Sequence, residues 1–404
     1  MQSLVPATFK LIMAYLSLQK RLWFKALPLL AILSGICSPA VTKEIPPYSG
    51  KYNVGATKQV IAINEPDVFA PGNVSTSFLV TLFYPTLQEP DVPGTTPYLT
   101  KVTANQFEEY LQFPNGTLGN YTTRVQWDAP FAETLLQDEG SDSPTLLFGP
   151  GLGGPPCECY TLLLSELASK GFTVAALDHT YEQPYVLYPN GSEYYGPPLE
   201  YAWSTEEALT AIEHRINDTF AFIDAWPKLA KKLGFASTTD SFGTFGHSIG
   251  GAAALAFAQL VDQSLVPAGI NLDGSFWGRL NSSAADVARP SLLLGFEGHA
   301  SAHYDISWDT YTEAQSGWWR VIEVNGTLHS DWSDITFWKE LDPPVPTRTG
   351  NISGERMVEV ETSLVAGFFN WILWGNDESE LFDEPDLFYP ETVLVAGADG
   401  TADD

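Results

Sequence analysis

Apolar residues along this chain recur with two different periods, and the two alternate. Short runs rich in β-branched, aromatic and aliphatic residues read as strands: Val60 to Ile63, Ser77 to Tyr84, Thr145 to Phe148, Phe172 to Leu177, Thr244 to His247, Ala268 to Leu272, Pro290 to Gly295 and Trp318 to Val324. Between them lie segments with three- and four-residue spacing. Tyr160 to Ser169 predicts a helix ending before Gly171. Thr205 to Trp226 predicts a long one, with Leu209, Ile212, Ile216, Phe220, Ile223 and Trp226 on its apolar stripe. Ala252 to Ala258 is a strong helix former. Glu355 to Trp374 carries Met357, Val360, Leu364, Phe368 and Trp371 on one stripe. Strand–helix alternation of this kind predicts an α/β fold, a mostly parallel central sheet with helices on both faces, in one domain over residues 41–375. Pro85 to Pro97 is a turn-rich connection, residues 100–136 read as an irregular insertion near the cleft, and residues 376–404 read as a solvated acidic extension. In open sheets of this type the ligand site lies at the carboxyl ends of the strands.

The chemistry starts at Gly246-His247-Ser248-Ile249-Gly250, followed by Gly251. The pattern G-x-S-x-G is a nucleophile elbow when a strand precedes it and a helix follows, as here. Its glycines are needed where a Cβ would clash with the neighbouring strand and helix. The alternative is an ordinary Gly-rich turn. A serine hydroxyl needs a base. His329, in Gly326-Thr327-Leu328-His329-Ser330-Asp331 after the last strand, is the candidate, with His303 second. His247 is expected to point away from the site, His214 sits in mid-helix and reads as a surface residue, and His179 precedes the serine in the chain. The imidazole needs a carboxylate, and two follow strands between Ser248 and His329. Asp273, at the end of an apolar strand and followed by Gly274, is favoured over Glu297. The oxyanion donors expected are the amide of Ile249 and that of Leu152 in Gly151-Leu152-Gly153-Gly154, with Gly153 as the alternative to Leu152.

Composition adds a compartment. Residues 1–40 place Lys20, Arg21 and Lys25 before an apolar run from Ala26 to Cys37 and a small-residue site, Ser38-Pro39-Ala40. That is the pattern of a secretory signal peptide, with Met13 an alternative start and an uncleaved anchor the competing reading. The segment holds four of the 20 basic residues and no acidic ones, so the remainder carries 16 basic against 49 acidic residues, a formal charge of −33. Such a surface repels nucleic acid and anionic membranes. Eight N-x-S/T sequons, at Asn73, Asn115, Asn120, Asn190, Asn217, Asn281, Asn325 and Asn351, predict a secreted, extracellular glycoprotein. Cys157 and Cys159 are too close for an easy bridge and read as two buried thiols or one unusual loop disulfide; with no second Cys/His cluster, no metal is expected.

Taken together, Leu147-Phe148-Gly149-Pro150-Gly151-Leu152-Gly153, Leu167 to His179, Gly246 to Gly251, Leu272-Asp273 and Gly326 to Asp334 resemble the plasma and type II platelet-activating factor acetylhydrolases, over about Lys51 to Trp338. The resemblance implies an α/β-hydrolase fold and a secreted, fungal-like serine esterase (1-alkyl-2-acetylglycerophosphocholine esterase-like) that needs no calcium and no cofactor. It implies hydrolysis of short or oxidised sn-2 acyl groups of phospholipids, with Ser248 as nucleophile, Asp273 as acid, His329 as base, and Leu152 and Ile249 as oxyanion donors. Pro150 departs from it, since the family usually has histidine there. The competing readings are a cutinase or polyester-type or general small-ester hydrolase, and a non-catalytic relative used for binding. Phe276, Trp277, Trp318 and Trp319 are candidates to line an acyl pocket, and aromatics rather than charge are expected to make any transient contact with a lipid surface. No protein partner is inferred.

Overall fold

The computed structural model describes residues 43–72, 75–90, 96–132, 142–341 and 348–400. The chain divides into Met1–Ala40 and Val41–Asp404, and every described residue lies in the second. The proposed signal segment and Asn73 lie outside the described residues.

Alternation along the strands builds the core. Ten strands form the central sheet: β1 (Asn53–Pro66), β2 (Ser75–Thr86), β3 (Gln126–Trp127), β4 (Ser143–Gly149), β5 (Thr173–Asp178), β6 (Ser237–His247), β7 (Ala268–Leu272), β8 (Ser291–Phe296), β9 (Trp319–Val324) and β10 (Thr392–Ala398). Their order is β10-β9-β8-β7-β6-β4-β5-β2-β1-β3, and the six from β9 to β5 are parallel. Six helices matter here: α1 (Lys101–Leu111), α2 (Thr161–Ser169), α3 (Thr205–Leu233), α4 (Ile249–Leu260), α5 (Ile306–Ala314) and α6 (Gly354–Trp374). Successive strand residues serve opposite faces. Leu146, Phe148, Leu292, Leu294, Ile322 and Val324 pack with α2 and α6. Leu293 and Val321 pack with α4 and α5, and Leu147 with Phe222 and Trp226 of α3. A one-residue slip in any of these strands would exchange the two faces.

Most expected elements stand within two or three residues of their predicted ends. Helix α3 runs on through Pro227 to Leu233, because Trp226 and Ala230 are buried against the sheet and packing outweighs the lost backbone donor. Two expectations are corrected. The segment read as irregular over 100–136 is ordered over its described residues, 100–132: Thr100 caps α1 by accepting from the Thr103 amide, and Phe107, Leu111 and Leu118 form a satellite core with Leu162, Ile335 and Trp338. The tail is not a solvated extension. Leu381 and Phe382 are buried beside α6, and β10 pairs antiparallel with β9, covering what would be an open sheet edge. Three of its acidic residues have cationic partners: Asp383 and Asp399 lie 2.6 and 2.5 Å from Arg320, and Glu391 is 2.9 Å from Arg356.

The aromatic expectations also change. Trp318 and Trp319 sit at the amino end of β9, away from the carboxyl ends that carry the site, and Trp318 packs on Phe368, Trp371 and Phe382. Phe276 is core, stacked on Tyr311 with ring centroids 4.2 Å apart; Trp277 is half-buried. Cys157 and Cys159 are free buried thiols. The seven described sequon asparagines, Asn115, Asn120, Asn190, Asn217, Asn281, Asn325 and Asn351, are all exposed. Among the described residues no helix is long and apolar enough to cross a membrane, and no group of side chains is arranged to hold a metal ion.

Candidate active site

Ser248 joins β6 to α4 with φ 57° and ψ −129°, a conformation a β-strand or helix does not use. The turn is possible because its neighbours lack side chains. A Cβ on Gly250 would lie 2.1 Å from the Gly149 carbonyl oxygen, and one on Gly246 2.5 Å from the same atom. The strained serine is held by its amide, which donates to the Leu272 carbonyl at 2.7 Å. Its hydroxyl is left facing the loops at the carboxyl ends of the strands.

The triad then closes by hydrogen bonds between loops far apart in sequence. Ser248 Oγ lies 3.1 Å from His329 Nε2, and His329 Nδ1 lies 2.5 Å from Asp273 Oδ2. Because Nδ1 donates to a carboxylate, Nε2 is free to accept the serine proton. Asp273 follows β7, is buried, and adopts φ 58° in a turn closed by Asn271, whose side chain bonds both the amide and the carbonyl of Gly274 at 2.9 and 2.8 Å. Burial raises the carboxyl's pKa, but donors from His299 and His329 outweigh it and hold Asp273 below the ordinary carboxylate range. The competing acid, Glu297, instead accepts from the Gly326 amide at 2.8 Å, and His303 is exposed and paired with Asp309 at 3.0 Å. Half-exposed His329 opens a short 3₁₀ turn pinned by buried Asp331, which accepts from Leu328 N, Thr336 Oγ1, Lys339 Nζ and Gly350 N at 2.6–2.8 Å.

The loop after β4 passes close to the elbow, so that a Cβ on Gly250 would lie 2.7 Å from the Pro150 carbonyl oxygen. The Ile249 amide opens α4, where first-turn N–H groups have no partner within the helix. Leu152 precedes Gly153 and Gly154, both at positive φ (71° and 104°), and a Cβ on Gly153 would meet Trp203 Nε1 at 2.3 Å. Pro150 gives the loop no donor, but its carbonyl accepts from Arg215 Nη1 at 2.5 Å. Arg215 is itself buried and paired with Glu182 at 2.8 Å.

His247 is the clearest departure from expectation. Its ring lies beside the base, centroids 4.6 Å apart, rather than away from the site. Nε2 is 3.1 Å from the His329 carbonyl and Nδ1 is 2.8 Å from Tyr160 Oη, which also takes the Gly151 amide at 3.1 Å. A carbonyl only accepts, so Nε2 carries the hydrogen and Tyr160 donates to Nδ1. One chain of donors thus runs from the loop after β4 to the backbone of the base. Burial first, and the neighbouring His329 second, push His247 down to about 3, so it stays neutral. His214 is buried rather than on the surface, with Nε2 3.6 Å from Asp218. The link from Tyr160 through His247, and the Arg215 and Asp331 anchors, left no local signal beyond polar residues inside apolar stretches.

The fold is that of the α/β-hydrolase class, and it brings Ser248, His329 and Asp273 into one bonded series. Residues 38–189, which include the loop after β4, match the family described as platelet-activating factor acetylhydrolase, isoform II. A curated protein of Arthroderma benhamiae, named a probable 1-alkyl-2-acetylglycerophosphocholine esterase, is 28% identical over 268 residues, which is 62% of this chain and 66% of that relative. The chain therefore spans just under two thirds of that relative's length. A solved structure, the ferulic acid esterase from Streptomyces cinnamoneus, superposes with a TM-score of 0.74 at 25% identity, covering 88% of this chain and all of that one. The chain is thus similar to the platelet-activating factor acetylhydrolase isoform II family over residues 38–189.

Proposed function

We propose that the protein is a secreted serine carboxylic-ester hydrolase that releases short or oxidised sn-2 acyl groups from phospholipids through an acyl-serine intermediate. The observation that carries the chemistry is the bonded series from Ser248 through His329 to Asp273, with contacts of 3.1 and 2.5 Å. In this reading His329 Nε2 takes the serine proton as Oγ attacks the ester carbonyl. The amides of Leu152 and Ile249 stabilise the tetrahedral oxyanion, each worth about 2.7–4 kcal/mol in the transition state. Collapse breaks the ester C–O bond, and the His329 proton leaves with the alcohol. Water then repeats the cycle on the acyl-serine, its proton passing to His329 and back to Ser248, and the acid departs. The curated relative's name supports the phospholipid substrate. Secretion is supported by the signal-like residues 1–40 and by the exposure of all seven described sequon asparagines.

A second reading, a general small-ester hydrolase, is supported by the likeness to a ferulic acid esterase. A series of phospholipids with sn-2 chains of increasing length, run beside aryl esters on purified protein, separates the two. The first reading expects the highest kcat/KM with a two-carbon sn-2 group. Faster turnover of aryl or long-chain esters rejects it in favour of the second.

A further inference from the structure

His299 takes no part in the proton transfer, yet it occupies the oxygen of Asp273 that His329 leaves free. Its Nδ1 donates to Asp273 Oδ1 at 2.7 Å, beside the Phe296 amide at 2.8 Å on the same oxygen. Its other nitrogen, Nε2, lies 3.4 Å from Oδ2 of Asp305, and among the described residues neither of these two buried atoms has a hydrogen-bond partner of its own. The ring is 3% exposed and lies against Trp308, centroids 4.1 Å apart. An imidazole whose two nitrogens both face carboxylates needs a hydrogen on each, and a ring with both hydrogens is a cation. The site is built to keep it there. Asp305 caps α5, accepting from the Ser307 amide at 2.9 Å. Glu323 of β9, also buried, holds the loop from beneath by accepting from the amides of Gly298, Ala300 and Ser301 at 3.1, 2.7 and 2.7 Å. Burial disfavours the imidazolium, but the two carboxylates outweigh it and push His299 up to about 9.

We propose that His299 is a positioning residue of the active site: a buried imidazolium that clamps Asp273 against the Asp305 carboxylate and shares its charge, so that His329 works as a base at lower pH than an unpartnered aspartate allows. The proposal rests on the assignment of Ser248, His329 and Asp273 as the triad. A bare carboxylate favours the imidazolium form of His329, which cannot take a proton from serine. A cation on the carboxylate's other oxygen offsets part of that field. The remaining charged and titratable groups do not replace it. Those facing His299 are Asp273, Asp305, Tyr304 of its own loop and Glu323, which is engaged with backbone amides and Ser301. Those around His329 are Asp273, neutral His247 and Asp331, which is paired with Lys339 at 2.8 Å.

Orientation and charge separate in the experiment. His299→Asn keeps an N–H donor near the Nδ1 position but carries no charge; His299→Leu removes both. The acid limb of the pH profile of kcat/KM, measured on purified full-length protein, is expected to move up by about one pH unit in both variants. At the pH optimum, kcat is expected to fall less than about tenfold for Asn and about a hundredfold for Leu. An Asn variant with the wild-type acid limb overturns the proposal, since a merely structural histidine leaves that limb in place. A readout independent of turnover and of variant folding is the ¹⁵N spectrum of the wild-type histidine rings at pH 7. The buried His299 ring is expected to be protonated on both nitrogens. Absence of a doubly protonated ring overturns the proposal even if Ser248→Ala abolishes activity; undiminished turnover by Ser248→Ala removes the triad assignment instead.

Discussion

Among the described residues two buried histidine–aspartate clusters can be set side by side, and one of them has a serine hydroxyl beyond its imidazole. In the first, Asp273 sits between His329 and His299 at 2.5 and 2.7 Å, with Ser248 beyond. In the second, Asp218 of α3 sits 2.7 Å from His179 and 3.6 Å from His214. The side chains are the same, but their surroundings shift the two aspartates in opposite directions. Burial is the largest influence on both aspartates and raises both. For Asp273 the donors that converge on it reverse the outcome, and its carboxyl lies low. For Asp218 the next influences are the carboxylates of Glu182 and Asp67, which raise it further. The histidines follow: His299 is held charged between two carboxylates, whereas burial and Arg215 push His179 well below its ordinary value. A His–Asp contact is thus no evidence of a catalytic pair by itself. The count of donors on the carboxylate, and a hydroxyl at the exposed end of the imidazole, make the difference.

That contrast is open to direct attack. Ser248→Ala is expected to lower kcat by about 10⁶, and Asp273→Asn by about 10⁴ through loss of the tautomer that frees Nε2. Asp218→Asn is expected to change kcat by less than about threefold. A loss at Asp218 comparable to that at Asp273, measured in the same assay with circular dichroism showing a folded protein, would remove the distinction.

The clusters meet at Arg215, which lies beside the second and holds the loop after β4, beside the first, through the carbonyls of Pro150 and Gly151 at 2.5 and 3.4 Å. Arg215→Met leaves the 1% exposed Glu182 without its partner. It is expected to cost about 3–5 kcal/mol of stability in urea titrations, and to lower kcat more than it raises KM. Adding Glu182→Gln is expected to recover part of the stability and none of the kcat. Recovery of both together would mean that the arginine serves packing alone.

The smallest expected effect is on the pH dependence of stability. Asp218 has a raised folded-state pKa, so its contribution is present below the ordinary carboxylate range and is lost as pH rises through the folded value. Asp273 is lowered, so its contribution is present above that range and lost as pH falls. Relative to wild type, Asp218→Asn is therefore expected to gain stability as pH rises above the ordinary carboxylate range, and Asp273→Asn to gain it as pH falls below that range. Urea midpoints measured on both sides of that range, with parallel curves for the two variants, would contradict the assignment of opposite shifts.

What the chain determined by itself is local. Gly246 to Gly251 fixes an elbow because the clash relieved by each glycine involves atoms a few residues away or on the adjacent strand, and Ala268 to Leu272 was readable as a strand to the residue. The order of Ser248, Asp273 and His329, each just past a strand, followed from where a parallel sheet presents its loops. What only the tertiary structure decided are the partners those residues keep. His299 reaches Asp273 across 26 positions, Tyr160 reaches His247 across 87, and Arg215 reaches Pro150 across 65. None of these separations follows a helical or strand period; they depend on sheet register and on which face each helix covers. The C-terminal segment was misread for a related reason. Its acidic residues suggested solvent, whereas Arg320, Arg356 and the unpaired edge of β9 supplied charge and hydrogen-bond partners that its own sequence does not reveal.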